Sequence, residues 1–174
     1  FKSDQVYALV AGMVGRGVPI DCIGFQSHVA VTYATDGGDF AGWVQGFRSN
    51  MARYRDLGID VHITEFEAKC QTDHHAQPEC PSWTESSLRT QAAVYREHVA
   101  ACVAEPACTV FQLWGLTDNH TFCNHDGDIP RCAHHPFVYD GGAPPLQPKP
   151  AYWAVHSSLA SPTALDALAS QPET

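Results

Sequence analysis

The sequence predicts an α/β fold, in which helices alternate with the strands of a parallel sheet. Four segments carry apolar residues at helical spacing, and three short runs between them are apolar or alternate between apolar and polar residues. The predicted order is helix, strand, helix, strand, helix, strand, helix. Such alternation is typical of right-handed βαβ units, and 174 residues are enough for one domain with a hydrophobic core.

The first helix and the first strand are predicted within residues 1–29. Ser3 is the predicted N-cap, and apolar residues then recur at helical spacing from Val6 to Val14. Two glycines and a proline are expected to end this helix: Gly15, Gly17 and Pro19. Residues 22–29 form a short, largely apolar run, which is typical of a buried parallel strand.

The second helix and the second strand follow a Gly/Asp turn at 36–39. The apolar positions of the helix run from Phe40 to Tyr54, and the helix is predicted to end near Gly58. The strand is predicted at 59–66, with Val61 and Ile63 on one face and His62 and Thr64 on the other.

The third strand lies between the last two predicted helices. A capping box at 82–85 is expected to begin the third helix, which ends near Cys102. The third strand is predicted at 109–116 and the last helix at 150–159, whereas the Ala/Ser/Pro-rich residues 161–174 are predicted to be a frayed tail or a linker.

Charge and hydropathy disfavour several functions. A net charge of −9 disfavours nucleic acid or an anionic membrane as a partner. No apolar run approaches the roughly 18–20 residues that span a bilayer. The chain starts at Phe1 without a charged segment followed by an apolar one, so we expect any signal peptide to be removed or to lie upstream. The N-terminus is therefore expected to be a cut through a longer polypeptide.

The seven cysteines indicate an oxidising compartment, and hence secretion. Six fall into local pairs: Cys70 with Cys80, Cys102 with Cys108, and Cys123 with Cys132. Cys22 is left over and is expected to be a buried free thiol. Zinc is the alternative, because five histidines crowd two of these loops: His74, His75, His125, His134 and His135. No pair has the CxxC spacing of structural zinc sites, which favours disulfides.

The predicted strand ends carry residues suited to sugar chemistry. In parallel α/β barrels, functional side chains project from the carboxyl ends of strands. Six residues lie at or just beyond those ends: Gln26, His28, Glu65, Glu67, Trp114 and Asp118. A carboxylate can attack or stabilise an oxocarbenium-like centre, and an indole can stack on a pyranose ring.

The pattern alone predicts an incomplete unit. Three strands cannot close a barrel, since an eight-stranded one takes about 250 residues. A doubly wound sheet is disfavoured because no Gly-rich phosphate loop follows a strand. We therefore expect further barrel strands or a partner chain against the open sheet edges.

Four segments resemble family 10 glycoside hydrolases, the xylanase family, in the family's own order. Three are similar to its sixth, seventh and eighth strands and one to its closing helix: 16–28 with Gly-Phe-Gln-Ser-His, 57–67 with Ile-Thr-Glu-Phe-Glu, 110–118 with Leu-Trp-Gly-Leu-Thr-Asp, and 148–152 with Pro-Lys-Pro-Ala-Tyr. The resemblance implies a partial (β/α)8 TIM barrel, strands six to eight, over residues 1–160.

The resemblance also implies roles for five residues. Glu65 corresponds to the retaining nucleophile, and His28 is expected to contact both Glu65 and Glu67. Gln26 and Trp114 are expected to line the sugar subsite beside the scissile bond. A disulfide between Cys102 and Cys108 is similar to one common in fungal members. The implied double displacement needs no metal and no organic cofactor.

The sequence differs from the family pattern in two respects, and both argue against full activity of this chain. The family usually has Asp at the position of Glu67, so an extra methylene is expected to shift the partner of His28. The family's acid/base lies in an Asn-Glu pair at the end of the fourth strand, and no such pair occurs here. We therefore expect the acid/base to come from an upstream segment, and the 174 residues alone to be inactive.

The implied substrate is β-1,4-xylan or a related plant or algal cell-wall glycan. The alternative is a catalytically inactive module that binds glycan or has a structural role in an extracellular assembly. Asn119-His-Thr is an N-glycosylation sequon in the loop after the third strand, and a glycan there would lie beside the expected sugar site.

Overall fold

The computed structural model describes residues 2–31, 39–69, 84–120, 137–140 and 144–160. Within those ranges the elements, in chain order, are α1 Lys2–Gly15, β1 Cys22–Phe25, β2 His28–Ala30, α2 Phe40–Arg55, β3 Asp60–Lys69, α3 Glu85–Val103, β4 Cys108–Leu113 and α4 Pro150–Leu159. The pairs that β3 makes with β1, β2 and β4 are parallel, which confirms the predicted α/β class. No helix in these ranges is long and apolar enough to cross a bilayer.

The strand β3 is the centre of the sheet. Its residues Val61, His62 and Ile63 pair with β1 and also with β4, so these two strands lie on opposite sides of it. The last part of β3 pairs with β2, where His28 lies opposite Glu67. The sheet thus brings the start of β2 and the carboxyl ends of β3 and β4 next to one another.

The segment predicted as a single strand at 22–29 is two strands, β1 and β2. Ser27 lies between them with a φ of 63°, a left-handed conformation that interrupts a strand. The other two predicted strands differ in length. β3 extends to Lys69 because its last residues pair with β2, and β4 ends at Leu113, before the predicted 116.

Two predicted helix caps are wrong. The helix α1 already begins at Lys2, so Ser3 is inside it and is not its N-cap. The N-cap of α3 is Thr84, whose side-chain oxygen accepts a hydrogen bond of 3.2 Å from the backbone N–H of Ser87. A hydroxyl at the N-cap satisfies an amide of the first turn, and Thr84 is the residue that does so here.

The sheet has two unlike faces. The helix face comprises Ile23, Phe25, Val61 and Ile63, and the ring of Phe25 packs against aromatic rings of α2. The open face comprises the residues that alternate with these: Cys22, Gly24, His62, Thr64 and, on β4, Val110. The open-face residues are all at least partly exposed.

An irregularity in β3 changes which side chains reach the open face. Ile63 and Phe66 both lie on the helix face, since Phe66 packs against Tyr95 of α3 at 4.9 Å between ring centroids. Residues three apart cannot share a face in a regular strand. The register shift between Ile63 and Phe66 resolves this, as a β-bulge does. Glu65 and Glu67, on either side of Phe66, are thereby turned to the open face.

One of the predicted disulfides lies in the described part of the chain, and it is formed. Cys102 near the end of α3 is bonded to Cys108 at the start of β4. Cys22 is a free thiol, but it is exposed on the open face, so the prediction of a buried thiol is wrong. The remaining predicted pairs, the five loop histidines and the predicted tail lie outside the described ranges: Cys70, Cys80, Cys123, Cys132, His74, His75, His125, His134, His135 and 161–174.

His98 of α3 is buried in an aromatic pocket of the core. Its ring lies 4.6 to 5.0 Å from the rings of Trp43, Phe47 and Phe66. Nδ1 lies 2.6 Å from the carbonyl oxygen of Val94, and Nε2 has no hydrogen-bond partner among the residues that the structure describes. Burial lowers the pKa of His98 from 6.5 to about 4, because the apolar surroundings disfavour the charged imidazolium.

We expect the free energy of unfolding to fall as the pH falls from 6.5 towards 4. In this window the unfolded chain binds a proton at position 98 and the folded chain does not, so protonation favours unfolding. The effect reaches about 3 kcal/mol. Urea unfolding at several pH values should show a flatter dependence for His98→Phe than for the unaltered protein. Equal slopes for the two proteins would contradict the assignment.

Candidate active site

His28, Glu65 and Glu67 form a hydrogen-bonded group at the open face, called here the carboxylate–histidine cluster. Nδ1 of His28 lies 2.8 Å from Oε1 of Glu67. Nε2 of the same ring lies 3.0 Å from Oε2 of Glu65. The sequence places the three residues on neighbouring strands, and the structure brings His28 into direct contact with both carboxylates.

The backbone irregularities on both strands make this contact possible. Ser27 interrupts the first segment immediately before His28. The bulge in β3 turns Glu65 to the open face, and Glu67 follows two residues later on the same face. Oγ1 of Thr64 donates a hydrogen bond of 3.3 Å to the carbonyl oxygen of Phe25, which joins the two strands next to the cluster.

The geometry favours the doubly protonated form of His28. A neutral imidazole has one N–H, so it cannot donate to two carboxylates at once. Both contacts are hydrogen bonds to carboxylates only when both ring nitrogens carry a proton. The hydrogen bond to Glu67 is the main cause that raises the pKa of His28 above 6.5, and partial burial opposes it. The raised pKa and the geometry therefore agree.

The two carboxylates of the cluster have different surroundings. The side chain of Glu67 is 2% exposed and that of Glu65 is 22% exposed. Glu65 is thus the carboxylate that solvent and a ligand can reach. Glu67 is buried and holds His28 through its hydrogen bond with Nδ1. The extra methylene of Glu67, compared with the family's Asp, was expected to displace this support, but its carboxylate still reaches Nδ1 of His28.

Trp114 follows the end of β4 and lies beside the cluster. Its ring is perpendicular to that of His28, with 5.9 Å between the ring centroids, and it is 40% exposed. Any side chain at the next residue, Gly115, would displace the buried ring of Phe137, because a Cβ there would lie 2.5 Å from that ring. An exposed indole next to a carboxylate gives an apolar platform on which a sugar ring can stack.

The other two polar positions near the strand ends are exposed. Gln26 lies two residues before His28 and takes no part in the hydrogen bonds of the carboxylate–histidine cluster. Asn119 lies in the turn that follows Trp114, and its backbone N–H donates to Oγ1 of Thr117 at 3.4 Å. The sugar-contacting role of Gln26 and the glycosylation of Asn119 stay predictions.

Asp118 lies outside the candidate active site, although the sequence analysis placed it among the polar residues at the strand ends. It is buried, its Oδ2 lies 3.1 Å from Nζ of Lys149, and its Oδ1 accepts a hydrogen bond of 2.9 Å from the backbone N–H of Phe137. Burial lowers the pKa of Lys149, while Asp118 opposes that shift. This ion pair fixes the chain after β4 to the start of α4, so Asp118 has a structural role.

Lys69 is a residue near the cluster that the sequence reasoning missed. Its Nζ lies 3.5 Å from Oε1 of Glu67. The predicted strand ended at residue 66, so no face was predicted for Lys69; in the structure β3 continues to Lys69, which lies two residues after Glu67 and therefore on the same face. Within the described ranges, no group of three or more His, Cys, Asp or Glu side chains is arranged to hold a metal ion.

Comparison with known proteins finds xylanases among the relatives of this chain. Endo-1,4-beta-xylanase B of Thermotoga neapolitana is 29% identical over 165 residues, which cover 91% of this chain and 39% of that protein. Native xylanase 10B from Thermotoga maritima has a similar structure, with a TM-score of 0.69 and 28% identity. Xylanase 10B from Thermotoga petrophila, in complex with xylobiose, gives a TM-score of 0.70 at the same identity.

The similarity covers nearly all of this chain but less than half of each relative. Both structural relatives are covered over 42% of their length and 91% of this chain. Such relatives are (β/α)8 TIM barrels, and the parallel sheet with flanking helices described above is part of such a barrel. This confirms the predicted fold class. The sequence model of Glycosyl hydrolase family 10 matches residues 1–158, and the chain therefore belongs to that family.

Proposed function

We propose that this chain is the C-terminal part of a secreted, retaining glycoside hydrolase that acts on β-1,4-xylan or a related plant or algal cell-wall glycan. The observation that carries the proposal is Glu65, a partly exposed carboxylate held by His28 at the open face beside Trp114. Family membership and the endo-1,4-beta-xylanases among the relatives support the substrate class.

The proposed reaction is a double displacement at the anomeric carbon. A carboxylate oxygen of Glu65 attacks that carbon, and the bond from carbon to the leaving-group oxygen breaks as this oxygen takes a proton from the acid. Water then attacks the glycosyl ester and returns the proton to the same acid/base group. His28 orients Glu65, Glu67 anchors His28, and Trp114 and Gln26 contact the sugar.

The acid/base is proposed to lie outside this chain. Retention needs two carboxyl groups about 5–5.5 Å apart, one of them a proton donor. Glu67, the other carboxylate of the cluster, is 2% exposed and already bound to His28, so it is unsuited to protonate a leaving group. The rest of the barrel would supply the acid/base and would also cover the outer edges of β1 and β4. We expect the 174-residue chain alone to be inactive.

Secretion is part of the same proposal. The disulfide between Cys102 and Cys108 is of the kind that persists in oxidising compartments. The sequon at Asn119 starts on an exposed residue, as an acceptor for a glycan must.

A mechanism-based label tests the nucleophile directly. A 2-deoxy-2-fluoro xylobioside with a good leaving group should form a stable adduct with the full-length protein. Peptide mass spectrometry should locate one added xylobiosyl group on Glu65. No adduct on a folded full-length protein, or an adduct on another carboxylate, would overturn the assignment of Glu65.

The second candidate is an inactive module that binds glycan. Asn119 favours it, because this exposed position lies five residues after Trp114 and a glycan there would occupy space beside the platform. This candidate predicts binding of xylo-oligosaccharides by calorimetry without any labelling of Glu65.

A further inference from the structure

Lys69 and His28 share one oxygen atom of Glu67. Nζ of Lys69 lies 3.5 Å from Oε1 of Glu67, and Nδ1 of His28 lies 2.8 Å from the same Oε1. The side chain of Lys69 is only 13% exposed, although lysine is usually a surface residue. The side chain of Lys69 is therefore mostly buried, and its ammonium contacts the carboxylate–histidine cluster through Glu67.

The burial of Glu67 explains why a second cation matters. A carboxylate with 2% exposure has lost its water, and this is unfavourable unless positive charge or hydrogen bonds replace the water. His28 supplies a positive charge only in its doubly protonated form. Lys69 supplies one that does not depend on the protonation of the histidine, so Glu67 stays anchored in both states of His28.

We propose that Lys69 is a positioning residue of the active site, which fixes Glu67 and through it the orientation and the protonation of His28 towards Glu65. This inference rests on the proposed function for its catalytic consequence. Its structural part, the control of His28 by Lys69, is independent of any reaction.

The charges around His28 give the direction of the effect. The charged side chains of β3 that act on His28 are those of Glu65, Glu67 and Lys69. Behind Glu67, the buried phenol of Tyr95 on α3 stays neutral, since burial raises its pKa well above the ordinary value. The two carboxylates favour the imidazolium, and Lys69 opposes it. Without Lys69 the imidazolium gains stability relative to the neutral ring, and Glu67 is held less firmly.

The experiment compares Lys69→Met and Lys69→Arg in the full-length protein. Histidine labelled with ¹⁵N reports the titration of His28, whose signal is identified by its loss in His28→Gln. We expect the His28 titration to move to higher pH in Lys69→Met and to stay near its original position in Lys69→Arg. On xylan, Lys69→Met should lower kcat by roughly ten- to a hundredfold with little change in KM, and Lys69→Arg should restore most of it.

Two further variants make the result decisive. Lys2→Met removes the same charge from an exposed position on α1 and should leave the titration and kcat unchanged. Lys69→Gln keeps a hydrogen-bond donor without the charge, so it should repeat the shift if Lys69→Met does not fold. An unmoved His28 titration in Lys69→Met and Lys69→Gln overturns the inference. If the unaltered protein does not hydrolyse xylan but the titration shifts, the proposed function fails and the positioning role stands.

Discussion

Glu65→Gln is expected to lower kcat on xylan by at least about 10³-fold in the full-length protein. Glutamine has the size of glutamate, and its carbonyl oxygen can still accept a hydrogen bond from Nε2 of His28. An amide is nevertheless a poor nucleophile, and it cannot form the glycosyl ester on which retention depends. Because the shape of the site is kept, KM should change little. Steady-state kinetics on soluble xylan measure both parameters.

A matched control separates the chemistry from a general effect of charge. Glu85→Gln makes the same substitution in the first turn of α3, where the side chain is 83% exposed and pairs with Arg89. This variant should retain full activity. A Glu65→Gln protein that keeps more than about a tenth of the wild-type kcat would exclude Glu65 as the nucleophile, since such a loss is too small for that role.

The second large effect concerns stability. Asp118→Asn is expected to lower the free energy of unfolding by about 3–5 kcal/mol. Asparagine can still accept the hydrogen bond from the backbone of Phe137, but the buried ammonium of Lys149 loses the carboxylate 3.1 Å away and keeps the weaker attraction of Asp140. The decrease in the free energy of unfolding therefore reflects mainly the loss of the negative charge that compensates the ammonium of Lys149. Urea denaturation at neutral pH gives the value.

A double variant tests the cause of this loss. Asp118→Asn combined with Lys149→Met removes both charges, so it should be more stable than Asp118→Asn alone. Glu85→Gln again provides the control, because it breaks an exposed pair with Arg89 and should change the free energy of unfolding by less than about 0.5 kcal/mol. Additive effects of the two buried substitutions would show that Asp118 and Lys149 are not coupled.

Much of the fold was predictable because periodicity reports burial. The apolar spacing of residues 40–54 and the alternation around Ile63 place two elements correctly, since helices and strands bury residues with different periods. Periodicity does not report irregular backbone. The left-handed Ser27 and the bulge before Phe66 leave no sequence signal of that kind, so one predicted strand is two and the exact facing of Glu65 was not predictable.

The candidate site was predictable in part. Short motifs mark His28, Glu65 and Glu67, whose contacts the structure contains. The role of Asp118 was missed because its partner Lys149 lies 31 residues away, and pairing over such a separation depends on tertiary structure. Cys22 was expected in the core because its neighbours are apolar, yet alternate residues of β1 point to opposite faces.

The backbone at Ser27 limits which residues natural variation can place there. A non-glycine residue loses roughly 1–2 kcal/mol in the left-handed region, and the loss is greatest for β-branched side chains. Every folded molecule therefore has this unfavourable backbone conformation at Ser27, directly before His28. Homologous positions should therefore accept glycine, asparagine, aspartate or serine and reject valine, isoleucine and threonine, whatever ligand the site takes.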